Sequence, residues 1–384
     1  MKASRIVVLL HQLSLTGAPR LTLDILDAFR AETSLRIVSA EGGPLIDVAR
    51  RLGPSVVLRQ AGFVRLIPKG LATERVVQVL AGGAGRLRAT EQAVRLRRWK
   101  PDLVYVSSVA ALPLVRMLHL TDAPVVLHVH ELGSTLAWYE RTYPSLILSA
   151  PNRYIAVSKA VAHDLVSSLG VPSGAISVIS PHGLAHESAI RPMSRAIGRE
   201  RLIVGGAGNP SWTKGVDLWL LAAREAVDRL GADRIRFVWV GYRDNRDGLQ
   251  FRSMISRLGL DSQVELVAET ERPYDQFARF DMFAMTSWEE SASLVVLEAM
   301  AMGIPVMCFA PTGGPAEEVG GAGVVIPSMS PHAMADAIVD LAESPQRRWA
   351  MGSAGAERVR ENFSREESLD KLTRVFDAVL TRAD

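Results

Sequence analysis

The chain has 384 residues, of which 48% are hydrophobic and 22% charged, and its formal net charge is +3. That composition excludes a disordered or low-complexity polypeptide, and the length suits two or three domains, each able to bury a sizeable core. The charge is unevenly spread: residues 1 to 185 carry 21 Lys and Arg against 12 Asp and Glu, whereas residues 186 to 384 carry 23 against 29.

From the start, MKASRIVVLLHQ combines a basic opening with an apolar run too short for a secretory signal, and it reads as a first strand. HQLSLTGAPRLTLDIL then passes through Gly17 and Pro19 into an amphipathic helix, Gly17 allowing a tight loop and Pro19 suiting a first helical turn. Further short apolar runs follow at 35 to 40, 55 to 59, 102 to 108, 125 to 130, 153 to 158 and 176 to 180, with helical patterns between them. Arg86, Arg88, Arg95, Arg97, Arg98 and Lys100 share one of those helices. A solvated face is the ordinary account of such a cluster; the sharper one is docking to anionic lipid headgroups. Nucleic acid is not indicated, because base-stacking aromatics are not interleaved along these arginines, Trp99 alone standing at the cluster's end. VVLHVHELGS sets His128 and His130 on one side of a strand with Glu131 beyond it, and no third ligand follows at a zinc spacing, so no metal is expected.

Residues 181 to 200 lack periodicity and hold Gly and Pro, which marks 184 to 200 as a linker between a domain over 1 to 183 and another over 201 to 362. A last helical segment, 363 to 384, is expected to cross back to the first domain. In the second half the strand candidates are 201 to 208, 235 to 241, 263 to 268, 282 to 287, 304 to 310 and 322 to 327. Each half thus alternates strand and helix, which predicts two doubly wound α/β domains with parallel sheets. Ligands of such sheets bind beyond the carboxyl ends of the strands. The lone Cys308 lies in the apolar run IPVMCF and is expected in a core, and one cysteine forms no internal disulfide, as in a reducing compartment. The uncharged window Ala299 to Ala316 contains three Pro and three Gly and does not read as a membrane span.

Two segments of the second half carry chemistry. GGAGNPSWTKGVDLWLL follows a strand, and Lys214 there can neutralise a diphosphate, while Gly205, Gly206 and Gly208 would let the backbone come close to it. It is neither a Walker loop nor a G-x-G-x-x-G loop. TSWEESASLVVLEAMAMGIPV places Glu290 at a strand-to-helix turn and Glu298 inside the helix that Ser291 or Ser293 caps. The unpaired amides of that helix start, around Ser291, Ala292, Ser293 and Leu294, can hold phosphate while flanking carboxylates accept hydrogen bonds from sugar hydroxyls.

This last segment resembles the E-x7-E signature of retaining glycosyltransferases of family 4, which have the GT-B fold: two Rossmann-like domains facing a central cleft. The usual Phe-Gly after the first Glu is Ala292-Ser293 here. Similarity extends over the loop at Gly17, the strand ending at His130, the loop over Gly208, Asn209 and Lys214, and the segments 152 to 172 and 322 to 338. It implies a metal-independent enzyme without a cofactor that moves a sugar from a nucleoside diphosphate sugar to a hydroxyl acceptor, glycan or lipid-linked. The single cysteine and the basic helix, for their part, lead to the expectation of a cytoplasmic protein, peripheral to the inner face of the membrane. On the resemblance, Lys214 and the helix amides meet the diphosphate, Glu298 the ribose, Glu290 the donor sugar, and His130 the transferred sugar. The loop at Gly17 would lie over donor phosphate and acceptor. No Asp-x-Asp pair stands anywhere in the chain to hold a divalent ion. The arginine that usually accompanies the lysine is absent, Asn209 and Thr213 standing in its two customary places. Arg243 is one candidate for the missing charge. A catalytically silent GT-B homologue, or another GT-B enzyme such as a sugar epimerase, is the alternative.

Overall fold

The computed structural model describes residues 4–58, 88–143, 145–182, 201–270 and 272–381. The expected linker and Arg86 lie outside the described residues. The chain forms two compact units. The first holds the residues up to Val157, then Val161–Ile179 and the residues from Leu369; the second holds Ser158–Ala160 and Ser180–Ser368.

In the first unit the strands are β1 (Ser4–Leu10), β2 (Thr33–Ser39), β3 (Ser55–Val57), β4 (Leu103–Ser107), β5 (Val125–Val129), β6 (Arg153–Ala156) and β7 (Ile176–Val178). They form a parallel sheet in the order β3-β2-β1-β4-β5-β6-β7. β4 and β5 are buried along their whole length, as strands covered by helices on both faces must be. That is why they read as unbroken apolar runs rather than as alternating patterns. The expected basic helix is helical over 88–99, and Arg88, Arg95, Arg97, Arg98 and Lys100 are exposed. From Leu369 the helix Arg365–Leu380 belongs to this unit, where Phe376 packs on Phe29 and edge-on against Tyr105 at 5.8 and 5.4 Å between ring centres.

The second unit contains β8 (Leu202–Ala207), β9 (Ile235–Tyr242), β10 (Val264–Ala268), β11 (Met282–Met285), β12 (Val306–Phe309) and β13 (Val324–Ile326) in a parallel sheet ordered β10-β9-β8-β11-β12-β13. Successive residues of these strands divide between two cores. Phe237, Trp239, Met282, Ala284 and Met307 face one, and Val238, Val240, Phe283, Met285 and Cys308 the other. Cys308 is fully buried there, and burial pushes its thiol up to about 12, so it behaves as a small apolar residue.

Both glycines at the middle of β8 serve packing rather than ligand approach, contrary to the expectation from sequence. A Cβ on Gly205 would lie 2.1 Å from the Phe280 ring, and one on Gly206 would lie 2.6 Å from the Trp239 ring and 2.8 Å from Trp219 Nε1. Aromatic rings cross the sheet at those two points, and only hydrogen leaves room for them.

Candidate functional site

In a doubly wound sheet the strand order reverses at one place, and the loops on either side splay apart to leave a crevice beyond the strand ends. The second unit reverses between β8 and β11. The loop leaving β8 carries Gly208, Asn209 and Lys214, and the loop leaving β11 carries Glu290, so topology alone brings them together.

Gly208 has φ +131 and Gly215 has φ +59, and a Cβ on Gly215 would strike the Thr286 carbonyl oxygen at 1.9 Å. Such contact lets the two loops lace closely. Thr286 Oγ1 donates to the Gly215 carbonyl at 3.0 Å, and the Trp288 amide to the Thr213 carbonyl at 2.9 Å. Lys214 then meets Glu290 in an ion pair, Nζ to Oε2, with side-chain exposures of 24% and 14%. Ser287 Oγ donates to the same Glu290 oxygen at 3.3 Å.

A third loop, leaving β12, fixes the Glu290 backbone. The Glu290 amide donates to the Thr312 carbonyl at 3.0 Å, the Gly314 amide donates to the Glu290 carbonyl at 2.9 Å, and Thr312 Oγ1 donates to the Ser287 carbonyl at 2.7 Å. Glu290 therefore sits on a backbone held from both sides, with its carboxylate against an ammonium. A pair of this kind is pre-organised for a ligand carrying negative phosphate and sugar hydroxyls together.

Ser293 caps the helix Leu294–Ala301, its hydroxyl accepting from the Val296 amide. Ser291 and Ala292, just ahead of it, are half-buried. One amide of the expected phosphate nest is already taken: Ser293 N–H donates to Glu318 Oε1 at 2.7 Å. Glu298 is a second departure from expectation. It is fully buried, with Oε1 accepting from the Tyr274 hydroxyl at 2.9 Å, rather than open beside Glu290. Its helix continues straight into the core, and a residue one turn in faces the packing side. Asn209, in the arginine's place, is half-buried, and its Oδ1 is buried with no partner among the described residues. Arg243 does not supply the missing charge, since Glu269 holds its guanidinium at 3.1 and 2.5 Å.

In the first unit β1, β4 and β5 end side by side. The His128 and His130 rings lie 4.2 Å apart between centres, on one side of the strand as the spacing predicts. His128 is buried, with Nδ1 hydrogen-bonded to the Tyr105 hydroxyl at 2.6 Å. Desolvation holds it neutral, lowering its pKa well below the usual histidine value, and a proton on His130 would lower it further. Desolvation, helped by His11, pushes His130 down to about 3. Glu131 is fully engaged. Its Oε1 accepts from Ser108 Oγ, and its Oε2 accepts from the Val109 and His130 amides at 3.1 and 3.0 Å. It fastens the strand end that carries His130. Ser108 takes φ +87, a strained value for a residue with a side chain. Gly17 opens the helix Gly17–Phe29 on the surface without a positive φ, so its loop does not depend on glycine's left-handed freedom. Among the described residues no three of His, Cys, Asp and Glu form a group able to hold a metal ion.

Residues 199–344 match the family described as Glycosyl transferases group 1, and residues 17–182 match Glycosyltransferase Family 4. Each half is thus similar to a glycosyltransferase family, the first over 166 of the chain's 384 residues and the second over 146. D-inositol 3-phosphate glycosyltransferase of Kribbella flavida is 28% identical over 229 residues, 55% of this chain and 53% of that protein. Its counterpart in Rhodococcus jostii is 28% identical over 239 residues, 59% of this chain and 52% of that protein. The chain thus spans about half the length of these curated relatives. Among solved structures, HepE of Anabaena in complex with UDP and glucose superposes with a TM-score of 0.75 at 18% identity, covering 97% of this chain and 99% of that one. The fold is GT-B.

Sequence reasoning missed Glu318, Tyr274, Thr312, Tyr105 and Ser108. Gly313-Gly314-Pro315, in the loop a few residues past a strand and shortly before two glutamates, is the signal that could have found Glu318. Tyr274 carries no such mark.

Proposed function

We propose that the protein is a retaining, metal-independent glycosyltransferase of family 4 that moves a sugar from a nucleoside diphosphate sugar to a hydroxyl of a glycan or lipid-linked acceptor. The observation that carries this reading is the Lys214–Glu290 pair at the reversal of strand order, braced by three loops. A donor diphosphate would take Lys214 from Glu290, which frees the carboxylate to accept from the sugar hydroxyls. The helix start at Ser291, Ala292 and Leu294 would add backbone donors against charge that grows on the departing phosphate. That phosphate would take the acceptor's proton on the face it leaves, so no side-chain nucleophile is needed. On the resemblance, His130 hydrogen-bonds the transferred sugar. With its pKa pushed down to about 3, it does so as a neutral imidazole. Glu298 binds ribose only if Tyr274 shares or yields the oxygen it now occupies.

Relatives point to UDP-glucose as the first donor to try, because HepE was crystallised with it. A thermal-shift screen with UDP, GDP and ADP sugars tests the reading, since a donor at 100 times its Kd adds about 2.7 kcal/mol of stability. Stabilisation followed by donor hydrolysis or transfer that Glu290→Gln abolishes is the expected result. Binding without turnover over any acceptor panel would instead favour a silent nucleotide-binding homologue, a reading supported by the absent arginine and by Arg243 being held by Glu269.

Among the described residues no helix is long and apolar enough to cross a membrane. The exposed Arg88, Arg95, Arg97, Arg98 and Lys100 would instead dock the protein on anionic headgroups. Indifference to anionic vesicles at low salt would dismiss that contact.

A further inference from the structure

Glu318 is only 3% exposed, yet it sits among charges. Its Oε1 takes the Ser293 amide at the start of the helix Leu294–Ala301, and its Oε2 is buried without a hydrogen-bond partner. Glu290 and Glu317 repel a charge on it, Lys214 attracts one, and it in turn acts on the buried thiol of Cys308. Arg358 is close by, but its guanidinium is spent on the carbonyls of Glu317 and Glu318. A carboxylate with one neutral donor and no cation of its own is costly to bury, whereas a carboxylic acid in the same place is not.

We propose that Glu318 is a positioning residue of the donor site: neutral, it holds the Ser293 amide and the start of the helix Leu294–Ala301 in place for a diphosphate, and its ionisation weakens donor binding. This rests on the donor-site reading above and deepens it. The helix start is useful to an anion because its amides carry partial positive charge. A negative charge lodged against the first of them would cancel that field and repel the diphosphate. Burial, with Glu290 and Glu317 beside it, raises the Glu318 pKa well above the ordinary carboxylate range, and only the Ser293 amide and Lys214 oppose the rise. The sign follows from linkage. As pH rises through the Glu318 pKa the acid loses its proton and the affinity for donor falls, and bound donor in turn holds the proton on.

Calorimetric titration of UDP-glucose into the wild-type protein and Glu318→Gln, from about pH 6 to about pH 9, tests this. UDP-glucose is a diphosphate diester, so its phosphate charge stays constant over that span. Wild-type affinity should fall about tenfold, the effect of a one-unit coupling, while Glu318→Gln should keep the acid-side affinity throughout. In turnover the change should fall on the donor KM and leave kcat nearly level. Should Glu318→Gln fail to fold, the infrared carbonyl band of a buried carboxylic acid, still present in wild-type protein near neutral pH and bleaching as affinity falls, makes the same case. Superimposable binding profiles for the two proteins, or no such band, overturn the role of Glu318 and leave the donor site standing. No binding of UDP, GDP or ADP sugars by the wild type at any pH overturns the donor-site reading, and this role with it.

Discussion

The ends of β1, β4 and β5 in the first unit and those of β8 and β11 in the second are built alike, from parallel strands delivering loops at or beside the reversal of a sheet, yet they treat charge in opposite ways. His128 meets the Tyr105 hydroxyl and the His130 ring. Desolvation prevails, both rings are neutral, and Glu131 is quieted by amide and hydroxyl donors. Around Lys214 and Glu290 two opposite charges meet as an ion pair in a partly enclosed place. Enclosure that is dominated by desolvation yields neutral hydrogen-bonding groups, and enclosure beside an opposite charge yields a pair that a charged ligand can enter.

That contrast breaks most sharply in the second unit. If Lys214 and Glu290 act together on one ligand, Lys214→Met and Glu290→Gln should each lower kcat/KM for transfer by about 10²–10³, and the double variant should be little worse than either. Losses that multiply would mean that the two groups work separately.

Backbone placement offers the next test, read by urea denaturation. Gly215→Ala forces a Cβ into the Thr286 carbonyl and should cost more than about 2 kcal/mol. Gly170→Ala in the first unit also has positive φ, at +72, but meets nothing within 4 Å, and its cost should be about 1 kcal/mol. Equal losses would show that the laced loops of the second unit are no tighter than an open turn.

The histidines sharpen the first unit's side of the comparison. Their folded pKa values are depressed, so the unfolded chain binds the extra protons. Stability is therefore complete above the unfolded value near 6.5 and declines as pH falls towards about 3 for His130. Each neutral histidine should contribute a slope of about 1.4 kcal/mol per pH unit in that window. His130→Asn should flatten the decline measured by urea melts at successive pH values, and an unchanged slope would place the protons elsewhere.

Much of the architecture could be read in advance. All the strands expected along the chain occur within about two residues of their observed bounds, because a parallel strand buried on both faces must be a continuous apolar run. Lys214, Glu290 and His130 stood out because each follows such a run, where α/β sheets carry their ligands. The pattern did not tell Glu298 from Glu290. Both flank the same helix start, but one lies on a loop and the other where the helix turns into the core beneath Tyr274. Gly205 and Gly206 misled for a related reason: a glycine that admits a ligand and one that admits an aromatic ring look the same in one dimension.

The sequence by itself determined the order of strands and helices, the two parallel sheets and the residue types available at their ends, since burial and backbone geometry act on near neighbours. Only the tertiary structure decided which of those residues meet: Lys214 with Glu290, Ser293 with Glu318, Tyr274 with Glu298, Arg243 with Glu269. Each pairing joins positions more than twenty residues apart along the chain, and the spatial order of strands brings them together before any side chain can choose a partner.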